Sequence, residues 1–238
     1  MSEPLIALNN VEVLYADVIL SLKGITLEVA SGGCTVLLGP NGAGKTTFWT
    51  QHLQPRLGQV VDEYINADMI ERELNWNEES SPQTEETARA AQREATSKRE
   101  VCRHNEAFFI FETVFSDTEG HKLKELDEGV KGGHFVVMVF IGLNDLELAM
   151  QRVKQRVAQG GHDVLPEVQS KRFPRVYQNA ALAVSRVPLA LFLDNSRDTH
   201  AGHGTHRPVA VFLEGVMIAC IEGMPDWWSH INQGDRLA

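Results

Sequence analysis

Short apolar runs alternate with longer polar stretches of helical period along most of this chain, and the first thirty residues break that rhythm. Over residues 5 to 30, LIALNNVEVLY is followed by DVILSLKGITLEV, in which Ile25, Leu27 and Val29 alternate with Thr26 and Glu28. That period of two predicts an antiparallel β meander with one buried face. From residue 34 onward the pattern changes. CTVLLG predicts a short buried strand, and TTFWTQHLQ opens a helix. YINAD, at 64 to 68, is a second short strand ending in a carboxylate, and NWNEESSPQTEE, at 75 to 86, reads as a solvated loop. TARAAQREATSKREVCRH predicts an alanine-rich helix, and FFIFET, at 108 to 113, another buried strand. Ser116 and Glu119 stand at capping-box spacing, which predicts a helix from about 117 to the stop at KGG, 131 to 133. FVVMVFIGL is the longest apolar strand, and NDLELAMQRVKQRVAQGG an amphipathic helix with a glycine stop. A helical stretch follows GGHDVLPEV, with an interruption expected near Pro174, and then LALFLDNS supplies another strand. RPVAVFLEGVMIACIEG predicts a terminal hairpin. Buried strands alternating with helices imply an α/β fold, a mainly parallel sheet covered on both faces.

Composition narrows the classes. A chain of 238 residues with 43% hydrophobic content suits one large α/β domain. A formal net charge of -10 argues against coating nucleic acid or an anionic membrane surface, because both require a basic field. Cys34, Cys102 and Cys220 are isolated and odd in number, as reduced thiols of a cytoplasmic protein would be. MSEPLIALNNVEV is acidic and polar where a signal peptide would be basic and then apolar, and no run approaches the roughly 18 apolar residues of a membrane span. The expectation is a cytoplasmic protein without membrane insertion.

The densest chemistry lies in GPNGAGKT, Gly39 to Thr46, which fits the phosphate-binding pattern G-x-x-x-x-G-K-[ST] at every fixed position. The strand before it and the helix after it supply the context that the pattern needs. Backbone N–H groups of Asn41, Gly42, Ala43, Gly44, Lys45, Thr46 and Thr47 can face phosphate oxygens, with Gly39 permitting the close approach. Lys45 would reach the terminal phosphates, and Thr46 would offer its hydroxyl to Mg²⁺, making ATP and Mg²⁺ the expected cofactors.

Two resemblances flank this loop. Upstream, NNVEVLYADVILSLKGITLEV with SGG resembles the start of an ABC transporter ATPase of the branched-chain amino acid type, in which the aromatic at the position of Tyr15 stacks on adenine. An ABC ATPase also needs an LSGGQ signature and an apolar strand ending in Asp-Glu. Here FFIFE runs into Thr113, ALFLD runs into Asn195, and the SGG at 31 to 33 precedes the loop. From about residue 36 to 196 the chain resembles the zeta toxin family of P-loop kinases through GPNGAGKTTF, INAD, FIFET, VFIGL, QRVAQGGHDV, KRFPR and LFLDNS, in that order. Members of that type commonly begin near the loop's own strand. The expected division is therefore an ABC-ATPase-like meander over 1–32 and a zeta-toxin-like kinase domain over 33–238. The resemblance implies the P-loop nucleoside triphosphate hydrolase fold.

A kinase acting on a hydroxyl needs a carboxylate near the acceptor to take its proton. The resemblance assigns that base to Asp68; the same residue suits the N-cap of a helix over MIEREL. Glu112 and Thr113 match the family's acceptor-binding residues. Arg152 and Arg156 share a helical face, and residues 145 to 207 carry nine Lys or Arg against six Asp or Glu. The resemblance makes this segment a lid, with Arg156 and Arg172 as candidates for the transferring phosphate. Lys171 and Arg175 stand close by. It further implies UDP-N-acetylglucosamine as acceptor, phosphorylated at the sugar 3′-hydroxyl so that peptidoglycan synthesis starves, and an antitoxin partner that blocks the nucleotide site. His200, His203 and His206 recur every third residue in a stretch that reads as a surface loop, His162 belongs to the lid pattern, and Trp227 and Trp228 are expected over the sheet edge or an exposed apolar patch. The alternatives are a transport ATPase subunit and an inactive nucleotide-binding protein.

Overall fold

The computed structural model describes residues 6–15, 19–29, 33–77, 85–159, 163–197 and 206–231. Strands β1 (Ile6–Tyr15) and β2 (Ile19–Val29) form a two-stranded antiparallel sheet of their own, as the alternation in that segment predicts.

The remaining strands build one seven-stranded sheet. They are β3 (Cys34–Leu38), β4 (Glu63–Asn66), β5 (Phe109–Thr113), β6 (Val136–Gly142), β7 (Leu189–Asp194), β8 (Arg207–Leu213) and β9 (Val216–Cys220). Their order is β4-β5-β3-β6-β7-β8-β9, parallel as far as β7 and antiparallel for the last two. All five residues of β3 are buried, because helices cover both faces of a parallel sheet. Val36 and Leu38 face one apolar core with Phe109, Phe111, Met138, Phe140 and Phe192; Leu37 faces the other with Ile110, Val139 and Ile141. β3 lies between β5 and β6, so the loop that leaves its C-terminal end emerges at the centre of the sheet. Open α/β sheets bind their ligands at that end.

The helices are α1 (Lys45–Phe48), which passes through a π turn (Trp49–Leu53) into α2 (Gln54–Leu57), then α3 (Ala67–Asn77), α4 (Glu85–His104), α5 (His121–Lys131), α6 (Leu146–Ala158) and α7 (Pro166–Ala183). Arg99 and Arg103 of α4 both reach Glu125 of α5, fastening one helix to the other.

Several boundaries differ from the sequence expectations. Both ends of the loop expected over 75–86 are helical, since α3 runs to Asn77 and α4 starts at Glu85; residues 78–84 lie outside the described residues. The helix expected from 117 starts at His121: Gly120 takes the capping position with φ 75°, and Asp117, rather than Ser116, accepts from the Lys122 N–H at 3.4 Å. α7 continues through Pro174. The proline removes one N–H donor, and Pro174 and the Ser170 whose carbonyl it would have met are both exposed, so water can take its place. Trp227 and Trp228 do not cover an edge. They form part of a 3-10 turn (Asp226–His230) buried in the core, where Trp227 meets Phe140, Tyr177 and Phe192. Its indole N–H donates to Asp194 Oδ1 at 2.9 Å. The side chain of Tyr15, and His162, His200 and His203, lie outside the described residues.

Gly142 is the position where β6 passes beneath the Trp227 indole. A Cβ there would stand 2.4 Å from the ring, which neither the strand nor a fully buried tryptophan can vacate. Gly142→Ala is expected to destabilise the fold by about 2–3 kcal/mol, read as a lower urea midpoint at unchanged slope.

Candidate functional site

The phosphate-binding segment crosses from the buried end of β3 to α1 through backbone that only glycine adopts without strain. Gly39 has φ 151°, and a Cβ on it would stand 2.4 Å from the Ile141 carbonyl oxygen. The chain therefore turns hard against β6, and within the turn the Ala43 N–H, expected to face phosphate, donates instead to the Pro40 carbonyl at 3.2 Å. Lys45 folds back over the loop and donates from Nζ to the carbonyls of Gly39 and Pro40, both at 3.2 Å. Burial pulls its ammonium below the ordinary lysine value, opposed by the Glu112 and Asp68 carboxylates.

Glu112 lies across from the loop because β5 pairs in parallel with β3, bringing Glu112 opposite Leu37 and Thr113 opposite Leu38. The Thr46 hydroxyl donates to Glu112 Oε1 at 2.7 Å, and the Asn66 amide donates to the same oxygen. Burial raises the Glu112 pKa above the usual carboxylate range, while Lys45 and the Thr46 hydrogen bond hold it down. Glu112 Oε2 is buried and has no hydrogen-bond partner among the described residues. Thr113 lines the same cleft.

Asp68 occupies the first turn of α3, but the cap of that helix is Asn66. Its Oδ1 accepts from the N–H of Asp68 at 2.8 Å and of Met69 at 3.3 Å. The Asp68 carboxylate is thus not spent on the helix end. It faces the cleft and pairs with Arg156 Nη1 of α6 at 3.3 Å. α6 is itself started by Asp145, which accepts from the Leu148 N–H at 2.7 Å.

The cleft joining these groups has a volume of about 1560 Å³. It is lined by Asn41, Gly42, Gly44, Lys45, Thr46 and Thr47 of the loop and α1, by Asp68, Glu112 and Thr113, and by Arg152, Arg156, Arg172 and Arg175. The expected residues Gly39 and Ala43 are buried in the turn and do not line it. Of the cations near Arg172, Arg175 shares the cleft and Lys171 does not line it. Burial, followed by the neighbouring Arg175, lowers the Arg172 pKa.

Three participants were missed from sequence. Asn66 was read only as part of INAD, Arg152 only as a partner on a helical face, and Asn195 only as a departure from Asp-Glu. Arg152 was the most accessible of these, being one helical turn before Arg156. Among the described residues there is no cluster of three or more His, Cys, Asp or Glu able to hold a metal by themselves, and no helix long and apolar enough to cross a membrane.

Comparison with known proteins agrees with this architecture. The family described as an AAA domain matches residues 35–180, well over half of the chain, and the chain belongs to that family. Among solved structures, the AvrRxo1-ORF1:AvrRxo1-ORF2 complex superposes with a TM-score of 0.59 at 18% identity, covering 80% of this chain and 61% of that one. A structure from the PezAT chromosomal toxin-antitoxin system of Streptococcus pneumoniae superposes with a TM-score of 0.54 at 14% identity, covering 75% of this chain and 72% of that one. Both likenesses are of fold. The phosphonates import ATP-binding protein of Pseudomonas savastanoi pv. phaseolicola is 38% identical over 64 residues, 26% of this chain and 23% of that protein. Such ABC matches fall on the N-terminal segment.

Proposed function

We propose that the chain is a P-loop kinase that transfers the γ-phosphoryl group of ATP to a hydroxyl of a small polar acceptor. The observation that carries this reading is Asp68, uncapped by its helix, facing the cleft beyond Lys45 and Thr46 and paired with a cleft arginine. In the reaction the acceptor O–H gives its proton to Asp68 and its oxygen bonds to the γ-phosphorus. The bond from that phosphorus to the β–γ bridging oxygen breaks, and ADP leaves. Lys45 and the loop N–H groups hold the β and γ phosphates, while Arg156 and Arg172 meet charge as it moves onto the transferred group. Arg156 must exchange Asp68 for phosphate to do so.

The residues fit Mg²⁺. A hydroxyl and a carboxylate oxygen stand together at Thr46 and Glu112, an all-oxygen set suited to a hard cation. The second carboxylate oxygen is buried without a hydrogen-bond partner of good geometry among the described residues, although the Tyr64 hydroxyl lies near the carboxylate. Thr46 would hold the ion and Glu112 would orient its water; bound Mg²⁺ would spread the charge of the β and γ phosphates. Glu112→Gln is expected to raise the Mg²⁺ concentration needed for half-maximal turnover by about 10–100-fold. An unchanged requirement would return Glu112 to the acceptor alone.

UDP-N-acetylglucosamine is the acceptor to test first, on the zeta toxin resemblance, and an antitoxin protein is the corresponding partner. The toxin-antitoxin origin of one fold relative supports the choice of partner; the acceptor rests on the resemblance alone. In the division proposed here, residues 33–238 carry the kinase and residues 1–32 are an extension. The ABC matches favour a transport ATPase instead, but they cover about a quarter of the chain, and Glu112-Thr113 and Asp194-Asn195 stand where that class needs Asp-Glu. Mass spectrometry of UDP-N-acetylglucosamine incubated with the protein, ATP and Mg²⁺ decides the matter: one added phosphate establishes the activity, and its absence alongside demonstrable ATP binding removes this acceptor.

A further inference from the structure

Two side chains made long after the phosphate loop stand against its carbonyls. β7 and β8 pair so that Asp194 lies opposite Arg207, which brings the next residues, Asn195 and His206, side by side. Asn195 Nδ2 donates to the Ala43 carbonyl at 2.9 Å, and His206 Nε2 contacts the Gly44 carbonyl at 3.1 Å. Both partners are acceptors only, so the Asn195 amide must present its NH₂ and His206 must carry its proton on Nε2. Neither side chain is loose. The Asn195 backbone N–H donates to Gly142 at 3.0 Å, and its carbonyl accepts from Arg152 at 2.8 Å. The His206 ring packs edge-on to Phe48 and His52, with centroids 5.1 and 5.3 Å away, on the helical segment that follows the loop. Burial, with His52 and Arg152 nearby, lowers its pKa to about 4, so it is neutral at pH 7 and has one N–H to give.

A trans peptide points its C=O and its N–H in opposite directions. Fixing the Ala43 carbonyl therefore aims the Gly44 N–H the other way, and fixing the Gly44 carbonyl does the same for Lys45. Those N–H groups are among the ones expected to meet phosphate. The approach is close enough to require glycine: a Cβ on Gly44, whose φ is 83°, would stand 2.7 Å from Asn195 Nδ2 and 3.2 Å from His206 Nε2.

We propose that Asn195 and His206 are positioning residues that clamp successive carbonyls of the phosphate loop and so hold the Gly44 and Lys45 N–H groups aimed at the nucleotide phosphates. The nucleotide arm of this proposal rests on the kinase reading; the clamp on the loop does not. The experiment uses the full chain as wild type, His206→Ala and His206→Gln, because a glutamine amide can restore the lost donor. Hydrogen exchange of the peptide covering residues 39–48 is measured without nucleotide, and ATP affinity by calorimetry. His206→Ala is expected to speed exchange in that peptide about tenfold or more and to weaken ATP binding about tenfold, with His206→Gln recovering most of both. Unchanged exchange in the alanine variant, or a glutamine variant as impaired as alanine, overturns the clamp. If His206→Ala does not fold, the glutamine variant decides alone: wild-type exchange supports the donor role, and accelerated exchange refutes it. A wild type that binds no ATP sinks the kinase reading and leaves the exchange arm to judge the clamp.

Discussion

Asp68→Asn is expected to slow phosphoryl transfer by about 10²–10⁴-fold, the usual contribution of a positioned base, with ATP affinity nearly unchanged. The substitution keeps the shape and removes only the proton acceptor. Asn66, not Asp68, caps α3, so the helix keeps its start and the melting temperature should hold. The ion pair to Arg156 weakens, but a pair with side chains 35% and 41% exposed contributes little to stability. Loss of turnover without loss of fold or nucleotide binding would isolate the chemical step. A variant that still turned over at the wild-type rate would reduce Asp68 to a resting place for Arg156 and send the search for a base to other carboxylates of the cleft. Single-turnover measurements with saturating ATP separate these outcomes.

Lys45→Met is expected to lower kcat/KM for ATP by about 10²–10³-fold, in line with the loss of one charged contact to the developing charge, while the fold becomes no less stable. Lys45 is a half-buried ammonium satisfied by two backbone carbonyls and faced by two carboxylates, and desolvation pulls its pKa down. Methionine matches its length without the cost of burying charge. Opposite signs for activity and melting temperature would mark a group kept for function. A large drop in both would show instead that Lys45 holds the loop together through Gly39 and Pro40.

Much of this was legible in the chain because its information is local. Parallel strands buried on both faces read as apolar runs, and β3, β5, β6 and β7 fall where such runs predict. The glycine pattern of the loop, the carboxylate two residues beyond β4, which lies in the first turn of α3 rather than on the strand, and the carboxylate in β5 are also local, and the structure gathers Lys45, Thr46, Asp68, Glu112, Arg156 and Arg172 into one cleft. Helix boundaries were less legible where one cap competes with another. Asn66 and Asp68 are both good caps, and only the fold shows which is used; Gly120 in the left-handed region displaced the Ser116 and Glu119 pattern. The tryptophans were misplaced because nothing in DWWSH tells that β6 carries a glycine where an indole can lie flat. His206 was read within a histidine-rich surface stretch, since its partner is 162 residues earlier and no periodicity spans that distance.

That separation also sets an order of events in the cell. The ribosome finishes residues 39–46 first, and Asn195 and His206 emerge 152 and 162 residues after their partners. At ordinary elongation speeds this is about 10–30 seconds later. A nascent chain thus carries the loop's sequence well before it carries the two groups that would aim it, and on that proposal its competence to grip phosphate lags the loop's own synthesis by that interval.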